Sequence, residues 1–527
     1  LPGDTLSKEF NECLQRYKLS EFDAAWGEIY RGIEKESLRV SADGHISLSS
    51  HPQALGSSLT NPFITTDFSE SLLEFITPVC SDIDECMKTM EDIHRFTVQN
   101  LENDEMLWVA SMPCPLGAAE DIPIAQYGSS NVGKLKTLYR HGLSNRYGRL
   151  MQIISGIHYN FSMPESFWQP YADSCGFKGD LKDFKTAKYL HLIRNFHRYS
   201  WLLIYLFGAS PAACKCFATG REHGLEQLDN YTLYMPDATC LRMGNLGYKS
   251  EAQKSLFVCY NELDSYVDCL REAMDTPYPE YEAMGQSVDG EYQQLNTNLL
   301  QLENEFYSTI RPKRVVKSGQ RPSEALTQDG IEYIEVRALD LNPYLPFGID
   351  SEQIHFLDSF LLHCLLSESP ECHKQEFFEV AGNLAKIVDH GRDPELSLNL
   401  GSKPKKMHDW GNEILAEVDN AASLLDHIHG SRNYSNSVTA QSAKIADPEL
   451  TPSGRILKDM KEGDISFFEF SMQQSRKHRD DLQNNGMSEA TVKMMTETAA
   501  QSLKDQTNIE SLDTVDFDEY LKNWNDA

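Results

Sequence analysis

At 527 residues with 40% hydrophobic side chains, the chain is long enough for one large α/β or α+β core, with room for a smaller appendage. Its 48 basic and 79 acidic residues give a net charge of −31, which excludes general affinity for nucleic acid or anionic lipid unless basic residues are locally concentrated. The 12 cysteines form no CxxC pair, and several, such as Cys259 and Cys364, sit in apolar runs, as expected of reduced thiols in a cytoplasmic protein.

The first ten residues, LPGDTLSKEF, have neither a basic nor an apolar stretch of the secretory kind, so no signal is expected there. Residues 1–31 have an amphipathic helical pattern (FNECLQRYK, FDAAWGEIY). RGIEKESLRV, residues 31–40, reads as a strand, which puts Glu34 and Glu36 on one face with Leu38 and Val40. Their Cα atoms then lie roughly 7 Å apart, and the like charges call for a metal ion, a basic partner or solvent. These ten residues alone leave a metal site and a solvated strand edge equally open. FSESLLEFITPV places Glu74 between Leu73 and Phe75, a costly position for an unpaired charge.

Further along, GSSNVGKL (residues 128–135) nearly spells a phosphate-binding P-loop. Leu135 stands where a hydroxyl should bind Mg²⁺, and no apolar strand leads into Gly128, so a P-loop is not expected. The overlapping stretch carries Lys134, Lys136, Arg140, Arg146 and Arg149. SGIHYNFSM alternates as a strand, with His158, Asn160 and Ser162 on one face and Ile157, Tyr159 and Phe161 on the other. Helices are expected over residues 186–207 and 255–274; the apolar run at Trp201 is too short to span a bilayer. Cys214 and Cys216 lack a second ligand pair, so no zinc site is expected there. A second basic cluster holds Arg311, Lys313, Arg314, Lys317 and Arg321. IEYIEVRALDL is another polar-faced strand, with Tyr333, Glu335 and Arg337 together.

Beyond residue 350 helical patterns dominate, ending in an acidic terminal helix. Strands first and helices later favour α+β, with a core over residues 1–440 and a helical C-terminal region over 441–527 packed on it. Four polar-faced strands suggest one sheet face lined with Glu, His and Arg. Carboxylates with a single imidazole suit Mg²⁺ or Mn²⁺ better than zinc. Basic patches beside such a face fit a polyanion such as a nucleoside triphosphate, or else a solvated loop.

GIEKESLRV, TTDFSESLLEFITPV, AQYGSSNVGKLKTLYRHGLSNRYG, ISGIHYNFS, ATCLRMGNLGY, ENEFYSTIRPKR and GIEYIEVRALDLNP stand in the order seen in proteobacterial glutamate–cysteine ligases. The resemblance runs from about residue 30 to 345, with Lys35 and Ser37 where Arg and Thr are expected. It implies a glutamine-synthetase-like fold: a curved, mainly antiparallel sheet forming a funnel with helices outside. It implies ATP-dependent joining of the L-glutamate γ-carboxylate to the L-cysteine α-amine through γ-glutamyl phosphate, the first step of glutathione biosynthesis.

By the same resemblance Glu34, Glu36, Glu74, His158 and Glu335 are the metal ligands, and Arg337 faces the transferring phosphoryl group. Asp67 is assigned as the base for the cysteine amine. Phe68, Tyr139, Arg140, Gln152, Asn160, Arg242, Tyr248 and Tyr307 form the substrate pocket. Mg²⁺ or Mn²⁺ is the expected cofactor. L-glutamate, L-cysteine and ATP are the expected substrates of a cytoplasmic monomer open to feedback by glutathione, with no nucleic-acid or membrane partner. Two other readings remain: a ligase of the same fold with a different amine acceptor, or a non-catalytic acidic metal- or nucleotide-binding protein.

Overall fold

The computed structural model describes residues 28–113, 117–247, 252–254, 256–316, 320–401 and 403–526. Most of the N-terminal segment expected to be helical, and Tyr248, lie outside them. The described part of that segment is already extended at Tyr30, where the first strand begins.

Seven strands form the main sheet: β1 (Tyr30–Val40), β2 (Ile64–Thr66), β3 (Leu72–Ile76), β4 (Met106–Leu107), β5 (Ile157–Ser162), β6 (Ile310–Lys313) and β7 (Tyr333–Leu339). Their spatial order is β6-β7-β5-β1-β3-β2, with β4 paired to the far end of β1, and every pairing is antiparallel. The fold is the expected α+β arrangement, with helices prevailing after residue 350 apart from one hairpin, Ser397–Leu400 with Lys403–Lys406.

Alternation decides which side of the sheet is dry. Ile33, Leu73, Phe75, Tyr159, Phe161, Ile334 and Val336 are all fully buried in one apolar cluster. They meet Met90 and Ile93 of helix α1 (Ile83–Gln99), Ile193 and Phe196 of α3 (Leu181–Phe207), and Leu357 and Phe360 of α4 (Ser351–Leu366). Helix α2 (Asn131–Tyr147) lies elsewhere and carries site residues. Each fully buried aliphatic or aromatic side chain contributes about 1.5–3 kcal/mol, so this face anchors the sheet. Beneath it, Arg31 Nη2 meets Asp358 Oδ2 at 2.9 Å, and Tyr159 donates its hydroxyl to Asp358 Oδ1 at 2.6 Å. That buried trio ties β1 and β5 to α4. Removing one partner would strand a charge, at about 3–5 kcal/mol.

The helix expected over residues 255–274 starts only at Leu263. The preceding backbone is committed elsewhere: Tyr260 O accepts from Arg194 Nη1 (2.8 Å), and Asn261 exchanges side-chain bonds with Cys372 (3.0 and 2.9 Å). Tertiary partners thus outcompete the helical ladder there.

Toward the C-terminus, α5 (Phe467–Asn484) packs on α1, α6 (Glu489–Ser511) lies over residues 53–62, and α7 (Phe517–Asp526) rests on α2. The ten described cysteines are free thiols. No described helix is long and apolar enough to cross a membrane.

Candidate active site

The other face of the sheet gathers Glu34, Glu36, Glu74, His158, Glu335 and Arg337. Register places Glu34 opposite His158, Glu36 opposite Glu74, and Glu335 opposite both Asn160 and Arg311. The His158 ring lies between the two glutamates of β1, its Nδ1 3.1 Å from Glu34 Oε2 and its Nε2 3.7 Å from Glu36 Oε1. Asn160 Nδ2 donates to Glu34 Oε1 at 2.9 Å. Arg337 and Lys313 flank Glu335 at 3.2 and 3.3 Å. One ligand atom each from Glu34, His158 and Glu335 falls within 4.8 Å of the others.

The electrostatics of this row are unbalanced. Burial pushes the Glu36 carboxyl up to about 7, helped by the nearby Asp67 and opposed by His158, Arg242 and Arg337. Burial raises Glu74 well above the carboxylate range, and Glu34, Asp67 and Glu36 push the same way. For Glu34, burial is outweighed by the His158 hydrogen bond and imidazole charge, so the group stays below its ordinary value. For Glu335, burial is likewise outweighed, here by Lys313 and Arg337, and the carboxyl is held far down. Like charges directly opposite one another, as Glu36 and Glu74 are, destabilise a strand pair unless something neutralises them. The donor set therefore fits divalent cations. Asn160 Oδ1 adds a buried oxygen with no hydrogen-bond partner among the described residues.

A second group adjoins this row. Arg140, on α2, donates Nε–H to Asp67 O and stacks over the Tyr127 ring at 4.5 Å. Gln152 donates to the Tyr307 hydroxyl at 2.7 Å, and Tyr307 meets Tyr147 edge-on at 5.6 Å. Tyr139, Tyr147 and Tyr307 all pack against the same apolar cluster, so these rings share one wall. Glu305 braces that wall from behind: it pairs with Arg146 at 3.0 Å and accepts from the Tyr147 hydroxyl at 2.7 Å. Arg242 is 2% exposed, and its Nη2 donates to Arg337 O at 3.0 Å. Phe68, 1% exposed, belongs to the apolar cluster of Leu38 and Trp108, so it backs the wall from within the core.

The basic clusters divide. Lys313 reaches the acidic row, and Arg140 lies near enough to Glu74 to act on its charge. Arg146 is fully paired inside the protein, Arg149 bonds Ile122 O (2.7 Å), and Arg314 bonds Asp329 O (2.7 Å). Arg321 donates to Trp524 O at 2.6 Å. Lys317 lies outside the described residues. Lys313 was legible as part of a basic loop; its reach to Glu335 follows from β6 lying beside β7, which no local pattern reveals.

The near P-loop holds no phosphate cradle. Ser130 caps α2, accepting from Gly133 N–H at 3.2 Å. The Ser129 N–H donates to Glu510 Oε1 (2.8 Å) and the Asn131 N–H to Asp513 Oδ2 (2.6 Å). Protein carboxylates thus occupy the donors that a P-loop offers to phosphate.

The sequence profile of the glutamate–cysteine ligase family matches residues 14–387. The glutamate–cysteine ligase of Alcanivorax borkumensis is 48% identical over 501 residues, 94% of this chain and 95% of that protein. That of Pseudomonas putida is 50% identical over 490 residues, 93% of each. The crystal structure of glutamate–cysteine ligase from Francisella tularensis in complex with AMP superposes with a TM-score of 0.89 at 35% identity, covering 95% of this chain and 98% of the other.

Proposed function

Because the chain belongs to the glutamate–cysteine ligase family, its reaction is the ATP-dependent formation of γ-glutamylcysteine, and we propose that the acid-lined face of the sheet is where the glutamate γ-carboxylate is activated. This enzyme performs the first step of glutathione synthesis. The observation that carries the site assignment is the row Glu36–Glu34–His158–Glu335, with Arg337 and Lys313 at its end.

A carboxylate and an ammonium do not condense in water, so the carboxylate needs a leaving group. A γ-carboxylate oxygen attacks the ATP γ-phosphorus, the bond to the β–γ bridging oxygen breaks, and ADP leaves. The acyl phosphate is then attacked by the cysteine amine, and inorganic phosphate departs. Such phosphoryl transfer needs positioning and charge neutralisation more than protein covalent chemistry. Glu34, Glu36, Glu74, His158 and Glu335 would hold Mg²⁺ or Mn²⁺, which when bound supplies positive charge to the ATP phosphates.

Arg337 is read as stabilising charge on the transferring group, a reading supported by its guanidinium lying 3.2 Å from Glu335 at the edge of the acidic row. Asp67 is read as the acceptor of the amine proton, as its charge acts on both Glu36 and Glu74. Tyr139, Arg140, Gln152, Asn160, Arg242 and Tyr307, with Phe68 behind them and Tyr248 by resemblance, form the amino-acid pocket. An adenine-nucleotide site is supported by the AMP held in the Francisella relative. We read the protein as a cytoplasmic monomer, its helical region 441–527 packed on a core of residues 1–440. Glutathione carries the product's γ-glutamylcysteine moiety, which suits it to the same pocket as a feedback inhibitor.

Glutamate labelled with ¹⁸O in its γ-carboxylate tests the reading. One labelled oxygen should appear in inorganic phosphate for each amide formed. Unlabelled phosphate would exclude the acyl phosphate.

A further inference from the structure

We propose that Asp340 is a positioning residue for the ligase reaction: it fixes the guanidinium of Arg242 beside the acidic row and thereby sets affinity for an amino-acid carboxylate. The inference rests on the reading of Arg242 as a pocket residue. Asp340 directly follows β7, the strand that carries Glu335 and Arg337, and is 2% exposed. Its Oδ2 accepts from Ala209 N–H at 2.8 Å and from the Ser210 hydroxyl. Its Oδ1 accepts from the Cys240 thiol at 3.1 Å and stands 3.8 Å from Arg242 Nη1.

That arrangement separates two tasks. The lone pairs of Asp340 are engaged by Ala209, Ser210 and Cys240, so the carboxylate is rigid. At 3.8 Å it balances the buried charge of Arg242 without forming the bidentate pair that would engage the guanidinium fork. Arg242 Nη2 donates to Arg337 O, which links it to the strand of the phosphoryl contact, and Arg242 Nη1 meets Met243 Sδ at 3.5 Å. Gly156 completes the seat: a Cβ there would fall 2.0 Å from Arg242 Nη2, while its N–H donates to Glu36 Oε2 at 2.6 Å. Gly208 allows the loop of Ala209 to approach, since a Cβ there would lie 2.8 Å from Thr239 O. Three segments, at residues 208–210, 240–242 and 340, thus converge on one carboxylate behind one arginine.

The test compares Asp340→Asn, Arg242→Ala and the double variant, with KM measured for glutamate, cysteine and ATP, and a melting curve for each. Asp340→Asn should raise KM for the same amino acid that Arg242→Ala affects, by about tenfold, and leave KM for ATP within about twofold. The double variant should be no worse than Arg242→Ala alone, because the two act as a unit. Multiplying effects, or unchanged KM values in a folded Asp340→Asn, would overturn the positioning role alone. If Arg242→Ala leaves both amino-acid KM values unchanged, the pocket assignment of Arg242 falls, and this proposal with it. Should Asp340→Asn not fold, Asp340→Glu, which keeps the charge but displaces the oxygens, carries the same comparison.

Discussion

Glu34 and Glu36 illustrate how far single residues speak. Their shared face, and the polar faces of His158–Asn160 and Glu335–Arg337, follow from strand alternation alone, and the sheet pairs them as that alternation predicts. What alternation could not give is which strands are neighbours, and so that the His158 ring sits between the two glutamates. The same gap explains the basic clusters, in which Lys134 and Arg146 look alike in sequence. Arg146 is a buried structural ion, whereas Lys134 is exposed, 6.0 Å from the Phe517 ring.

From this follows a ranking. Arg337→Ala should lower kcat by about 10²–10³, the usual size for losing a donor to developing charge. Lys134→Ala should stay within about threefold, as an exposed charge contributes under about 1 kcal/mol. Steady-state ADP release measures both, and the reverse order would restore the P-loop reading.

Several buried histidines contribute a pH dependence, and His197, away from the site, is one of them. Burial, and then the neighbouring Arg198, pull the His197 imidazole down to about 4 from its ordinary 6.5. As pH falls, the unfolded chain takes up this proton first, so stability is full above about 6.5 and declines between 6.5 and 4. His197→Gln should flatten part of that decline in melting temperature. An unchanged slope between pH 7 and 5 would show that His197 makes no contribution to it.

Elements were legible where periodicity was long and uninterrupted. Helix α3 covers all of the expected residues 186–207 and begins five residues earlier, at Leu181, where Asp180 accepts from Lys182 N–H at 2.8 Å. The helix at Leu263 began late because Tyr260 and Asn261 answer to Arg194 and Cys372, partners distant in sequence. The C-terminal helices were foreseen as helices, but not their task. Glu510 and Asp513 cap the start of α2, the helix that carries Tyr139 and Arg140.

Glu510→Ala combined with Asp513→Ala should therefore lower the melting temperature by about 1–3 °C. Amide exchange at Ser129 and Asn131 should quicken, and ATP should not restore protection. Restoration by ATP would mean that these N–H groups do bind phosphate.

At the scale of the whole molecule, one sheet separates two environments. Its dry face is held by helices α1, α3 and α4, and its other face concentrates charge that an isolated protein would not tolerate cheaply. The acidity of the chain is thus more than a matter of solubility: part of it is gathered on this one face of the sheet. Folding brings together residues separated by some three hundred positions, from Glu34 to Glu335, within 4.8 Å between ligand atoms.

The central claim is that this acidic row is the metal-dependent ATP site. Electron paramagnetic resonance titration with Mn²⁺ and ATP tests it directly, comparing the wild type with Glu335→Gln. The account predicts tight Mn²⁺ binding in the wild type and at least about tenfold weaker binding in the variant, with its melting curve preserved. Equal Mn²⁺ affinity in a folded Glu335→Gln would contradict it.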